Sequence, residues 1–140
     1  MSLFNVLDLS GSALSAQSVR LNTVASNLAN ADVASATEAG VYRARQPVFQ
    51  TMMAQAAGQG ADKVSGVRVT GVTESLAPPR IEYMPGHPLA NEEGYVYFPS
   101  VNTVEEMTNM MSASRSYQNN VEVMNTVKQL MLRTLQMGQR

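Results

Sequence analysis

The sequence predicts a mainly α protein with a small β-rich middle segment, in which long N- and C-terminal helices pack as an antiparallel, coiled-coil-like pair. Three observations predict it. Leucine recurs on a seven-residue step at Leu7, Leu14, Leu21 and Leu28. Mainly apolar residues recur on alternating steps of three and four from Met107 to Leu135. All six prolines and seven of the nine glycines lie between those regions, from Gly40 to Pro99. Helical periodicity at both ends, with the strongest helix breakers confined to the middle, divides the chain into 1–35, 36–100 and 101–140.

The first helix is expected over about Leu3 to Ala31. Phe4, Gly11, Ser18 and Ala25 precede the leucines by three residues, making a seam with leucine at one position and mostly small residues at the other. Asp8, in an early turn, suits the positive end of the helix dipole. Between Leu9 and Ala31 the one charged residue is Arg20. The helix is therefore apolar or neutral-polar all round, the pattern of a buried helix.

The middle reads as loops and short strands. "GVYRARQPVF" opens with an extended segment, with Pro47 favouring an edge. "GVRVTGVTES" alternates and then slips phase at Gly71, as a bulge does. "RIEYM" follows across "LAPP", which predicts a hairpin of Gly66–Ser75 with Arg80–Met84. "GYVYF" is a further strand ended by Pro99, "AQAAGQGADK" a linker and "PGHPLANEEG" a long loop. In "NTVEEM", Asn102 or Thr103 caps the last helix and Glu105 or Glu106 completes a capping box. Its seam runs through Met107, Met110, Ser114, Tyr117, Val121, Met124, Lys128, Met131 and Leu135, and Gly138 marks its end.

With 140 residues the chain suits one domain, and 10 Lys+Arg against 11 Asp+Glu give no basic footprint for nucleic acid or an anionic membrane. Charged residues are 15% of the chain, against roughly a quarter in typical soluble domains, which points to surface covered by other molecules. There is no cysteine, hence no disulfide or thiolate metal site. No secretory signal pattern and no span-length apolar run is present, so no membrane insertion is expected. The first helix would be about 44 Å long, longer than the roughly 37 Å diameter of a globule of this size. Its own chain cannot cover it on every side, so neighbouring molecules must supply the remaining burial.

No catalytic, cofactor or metal site emerges. The single histidine, His87, sits between prolines in "PGHPL" and reads as a turn residue. Glu92/Glu93 and Glu105/Glu106 are adjacent pairs that diverge on a helix or strand. "GQGADK" lacks the residues of a phosphate loop. Ser112, Ser114 and Ser116 have no base nearby in sequence and suit close helix contact. Six of the ten methionines fall from Met107 to Met137 at helical spacing, as packing residues.

"ALSAQSVRLNTVASNLANAD" resembles the N-terminal signature of the bacterial flagellar axial proteins of rod, hook and hook-associated structures. Its centre, Ala-Ser/Asn-Asn-Leu/Ile-Ala-Asn, is here Ala25, Ser26, Asn27, Leu28, Ala29 and Asn30. "SASRSYQNNVEVMNTVKQLMLRTLQMGQ" and "ESLAPPRIEYMPGHPLANEEGYV" are similar to later parts of proximal rod members. The resemblance implies a non-enzymatic structural subunit of the basal-body proximal rod in the periplasm, exported by the flagellar type III apparatus without a cleaved signal. Implied partners are further copies of itself, other proximal rod proteins, the MS-ring/rod adaptor and the distal rod protein. Leu7, Leu14, Leu21, Leu28, Met107, Met110, Tyr117, Val121, Met124, Met131 and Leu135 are candidates for the assembly interface; Leu21 and Leu28 would face the C-terminal helix, whose methionine face would pack on this chain's first helix or on a neighbouring subunit. Asn22, Asn27 and Asn30, spread over about 140°, would face neighbouring subunits. Phe49 and Met53 are candidates for an export-gate contact, as apolar pairs are in related exported subunits, or for packing of the middle segment. A cytoplasmic coiled-coil adaptor or export chaperone would use the same seams.

Overall fold

A computed structural model describes residues 3–54 and 63–138. Helix α1 spans Leu3–Asn30 and helix α2 spans Thr103–Gly138, about 42 and 54 Å at 1.5 Å per residue. Between them lie a short 3-10 turn, Glu38–Gly40, and four strands: β1 (Arg45–Ala54), β2 (Lys63–Glu74), β3 (Arg80–Tyr83) and β4 (Tyr95–Phe98). No described helix is long and apolar enough to cross a membrane. The expected linker "AQAAGQGADK" falls at its centre outside the described residues.

The helices pack side by side. Asn27 Nδ2 donates to Glu106 Oε2 at 3.1 Å and Arg20 Nη2 to Asn109 Oδ1 at 3.2 Å, so α2 advances as α1 recedes and the pair is antiparallel. The seam differs from the expected one in the same way on both helices. The buried companions of the leucines are three residues after them, with Ser10, Val24 and Ala31 buried and Gln17 half-buried, while Phe4 before them is 69% exposed. On α2, Ala113 and Val127 are buried and Asn120 half-buried, three residues after Met110, Met124 and Tyr117. Met107, Tyr117, Val121 and Leu135 are exposed. Positions three before and three after a ridge residue lie about 60° to either side of it, so periodicity alone is symmetric between them. The stripe through Ser10, Val24, Ala113 and Val127 is the one that meets the partner, which leaves Phe4 and Met107 outside.

The strand pairing also corrects the expected hairpin. Strand β2 pairs antiparallel with β1, and β3 pairs with β4. In β1–β2 the partner of Val48 is Gly71 and that of Phe49 is Val69, which leaves Thr70 as the extra residue of the bulge expected at Gly71. Pro47 lies in a two-stranded ribbon, where both strands are edges. The ribbon rests on α1: Ser12 Oγ accepts from the Val67 N–H at 3.1 Å, and a Cβ on Gly66 would meet Ser12 Oγ at 2.7 Å and Met52 Cε at 2.9 Å. Close approach here requires glycine.

In the second hairpin, Gly94 has φ +84° and no room for a Cβ beside Tyr83, whose ring packs edge-on against Tyr95 at 5.4 Å. Ser35 pairs with Tyr97 through bonds of 2.8 and 3.1 Å, tying this hairpin to the end of α1. Val96, Pro99, Val41 and Ala31 are buried.

The N-terminus of α2 is capped as expected by Asn102, whose Oδ1 accepts from Val104 N and Glu105 N. With Asn102 as the cap a capping box would need Glu105, which makes no side-chain bond back to Asn102, while Glu106 turns to Asn27. Asp8 lies beyond the first turn of α1, out of range of the dipole benefit expected for it.

Candidate assembly interface

The most fully satisfied polar side chain is Asn27, 1% exposed. Its Nδ2 donates to the Arg45 carbonyl at 2.9 Å and to Glu106 Oε2 at 3.1 Å; its Oδ1 accepts from Tyr42 Oη at 2.9 Å and the Arg45 N–H at 2.8 Å. Both donors and both acceptor sites of the amide are used. One side chain thus joins α1 to the root of β1, to the segment before it and to the first turn of α2. Glu106, 8% exposed, makes a charge-assisted bond there.

Around this hub, Arg45 lies 5.6 Å above the Tyr42 ring and pairs with Glu74 across β1–β2 at 3.2 Å. Both ends of that pair are about half exposed, and such pairs contribute little. Burial raises the Tyr42 phenol above its ordinary value of 10.0; the Arg45 cation opposes this, while Glu106 and Glu74 add to it. Sequence reasoning missed Tyr42, Arg45 and Glu106 as partners. The available signal was Asn27 itself, a polar residue three positions after Val24 on what became the buried stripe.

This corrects the expectation that Asn27 faces a neighbouring subunit, since its amide is consumed within the chain. Asn30 returns its amide to Ser26 O at 2.8 Å within α1, and Asn22 is exposed. Leu7, Leu14, Leu21, Leu28, Met110, Met124 and Met131 are half-buried, shared between the seam and the outer surface. Phe49 and Met53 are 42% and 60% exposed on β1, two registers apart on one face of that strand. His87 Nδ1 accepts the Leu89 N–H at 3.1 Å, a turn contact. Among the described residues, no three His, Asp or Glu side chains converge as a metal site. An open groove of about 620 Å³ lies beside the start of α2, with Arg80, Pro99, Asn102 and Glu105 in its walls.

Two terminal helices locked together at one polar hub, with incompletely covered faces and a β-rich insertion on one side, define an axial-type structural subunit. Residues 7–37 match the family model described as flagella basal body rod protein, and residues 92–137 match that of the flagellar basal body rod FlgEFG protein C-terminal region. The chain is 55% identical to the flagellar basal-body rod protein FlgC of Escherichia coli O6:H1, covering 99% of this chain and 100% of that one. Identity is 54% to the FlgC of Salmonella typhimurium over the same spans, and 36% to that of Bacillus subtilis over 99% of both chains. The chain belongs to the FlgC family of flagellar basal-body rod proteins, and is a structural rod subunit of the basal body.

Proposed function

We propose that this subunit occupies the proximal part of the rod, within the periplasm, and that it arrives through the flagellar type III export apparatus. Its neighbours there are further copies of itself, other proximal rod proteins, the adaptor to the MS ring and the distal rod. The observation that carries this reading is the outer surface of α1. After Asp8 its exposed positions, among them Ser15, Ser18, Asn22, Ala25 and Ala29, bear no charge through Asn30, and Arg20 is turned to Asn109. A solvated helix carries charges on its free side; one that carries none is suited to burial in an assembly. Phe49 and Met53, exposed on one face of β1, are available to the export gate before the rod closes around them.

The test is complementation of a strain lacking the protein. Wild type should restore swimming and be recovered in isolated basal bodies. Leu21→Asp or Met124→Asp places a charge in a half-buried apolar contact, at several kcal/mol if unpaired, and should abolish both while synthesis continues. Normal swimming with either variant would remove the terminal helices from the proposed role.

A further inference from the structure

Resting on the rod reading above, we propose that the groove beside the start of α2 receives a lysine or arginine side chain of a neighbouring rod subunit, whose cation pairs with Glu106. Three elements meet at this groove: the root of the β1–β2 ribbon at Gln46 and Ser75, the start of β3 at Arg80, and the first turn of α2 at Asn102, Glu105 and Glu106. Glu106 is 8% exposed, yet among the described residues neither of its oxygens is in an ion pair. Oε2 accepts from Asn27, while Oε1 makes no hydrogen bond among those residues and is not sealed from solvent. Because Glu106 lines the groove, Oε1 is the atom through which it can be reached.

Within its own chain this charge serves no ionic partner. A glutamine would fill the same space, and its carbonyl oxygen would keep the bond to Asn27 without the cost of holding a carboxylate out of water. The positive end of the α2 dipole offsets part of that cost, but the nearby cations are engaged elsewhere. Arg45 pairs with Glu74 at 3.2 Å. Arg80 is held by Glu82 at 2.9 Å and Asp32 at 4.0 Å, and stacks 5.4 Å from the centre of the Phe98 ring. A buried carboxylate left open at a groove is complementary to a cation supplied from outside. A metal ion fits poorly, since a hard cation such as calcium takes about six to eight oxygens, and among the described residues no three acidic or histidine side chains converge. The groove, about 620 Å³, has room for a long side chain and the backbone that carries it.

The test combines Glu106→Gln with a photo-cross-linking amino acid at Ser100, an exposed residue of the groove wall, in a strain lacking the protein. With Glu106 intact, illumination of isolated basal bodies should link the subunit to a neighbour through a peptide containing lysine or arginine, identified by mass spectrometry. Glu106→Gln leaves that cation unpaired in a closed contact, so cross-linking should fall by about tenfold or more. Recovery in basal bodies, read also without the cross-linker, should fall with it. The purified variant should unfold at a urea midpoint equal to or above that of wild type. A lowered midpoint would assign the carboxylate to the fold of its own chain and overturn the proposal. Undiminished assembly of Glu106→Gln, a cross-linked peptide with neither lysine nor arginine, or no cross-link from basal bodies that contain the protein also overturns it, and each leaves the rod reading standing. Absence of wild-type protein from basal bodies of swimming cells defeats the rod reading itself.

Discussion

Replacing Asn27 by alanine should strand the groups that its amide joins: the Tyr42 hydroxyl, the N–H and C=O of Arg45, and one oxygen of Glu106. Tyr42 is half-buried and its hydroxyl can turn to water, so three groups bear the loss. At about 1 to 1.5 kcal/mol for each unsatisfied buried group, the expected destabilisation is about 3 to 5 kcal/mol. That is a large part of the roughly 5 to 15 kcal/mol typical of a domain. Urea unfolding of the purified chain followed by circular dichroism measures it. Asn27→Asp is the sharper perturbation, because it keeps the shape while turning the donor that faces the Arg45 carbonyl and Glu106 into an acceptor. It should cost at least as much as alanine at neutral pH. A loss below about 1 kcal/mol for alanine, or better tolerance of aspartate than of alanine, would refute the hub.

Three further substitutions probe the surrounding frame. Gly94→Ala forces a side chain into φ +84° and against Tyr83 Cε2 at 2.9 Å, and should cost about 1 to 3 kcal/mol, read as a lowered thermal midpoint. Gly66→Val places a branched side chain between Ser12 and Met52 and should cost about 1 to 3 kcal/mol, with faster amide exchange along β2 and little change at β4. Tyr42 titrates above 10.0 in the fold because burial disfavours the phenolate. Its contribution is intact below pH 10.0 and is lost as pH climbs through the raised folded value. Tyr42→Phe should therefore flatten the alkaline fall in stability, and an unchanged fall would place its origin elsewhere.

Sequence periodicity located both helices within a residue or two of their ends, because seven-residue leucine spacing and a run free of proline leave little else for those segments to be. The bulge beside Gly71 and the strand at Tyr95–Phe98 were legible for similar local reasons. What failed was pairing. Strands β2 and β3 are adjacent in sequence, but β2 has 12 residues and finds in the 10-residue β1 a partner of nearly matching length, whereas β3 has 4 and matches β4. That choice depends on tertiary contacts such as Gly66 against Ser12, which the local pattern does not contain. The helix seams failed for a geometric reason: flanking positions on either side of a ridge are equivalent on a wheel until a partner occupies one. Side-chain size does not break the tie either, since Phe4 lies outside and Ser10 within, whereas Val24 is buried and Ala25 exposed.

The same degeneracy explains why a polar residue belongs at the centre of the N-terminal signature. The ridges Leu7, Leu14, Leu21, Leu28 and Met110, Tyr117, Met124, Met131 both repeat every seven residues, so sliding α2 by one heptad, about 10.5 Å, would still set apolar ridge against apolar ridge. The apolar seam by itself distinguishes such registers weakly. Asn27 does so strongly. In a slipped pair its Nδ2 would lose Glu106, and Glu106 would lose its bond to that amide, leaving a buried polar group and a carboxylate to be satisfied anew. In the native register the bonds to Arg45 fix the root of the ribbon at the same point. An aliphatic residue at 27 could fill the space, but would leave the sliding coordinate unspecified. If the outer helix faces meet neighbours as proposed, an error of one heptad within the chain would displace every contact between chains. A single amide that permits one register removes that error before assembly begins.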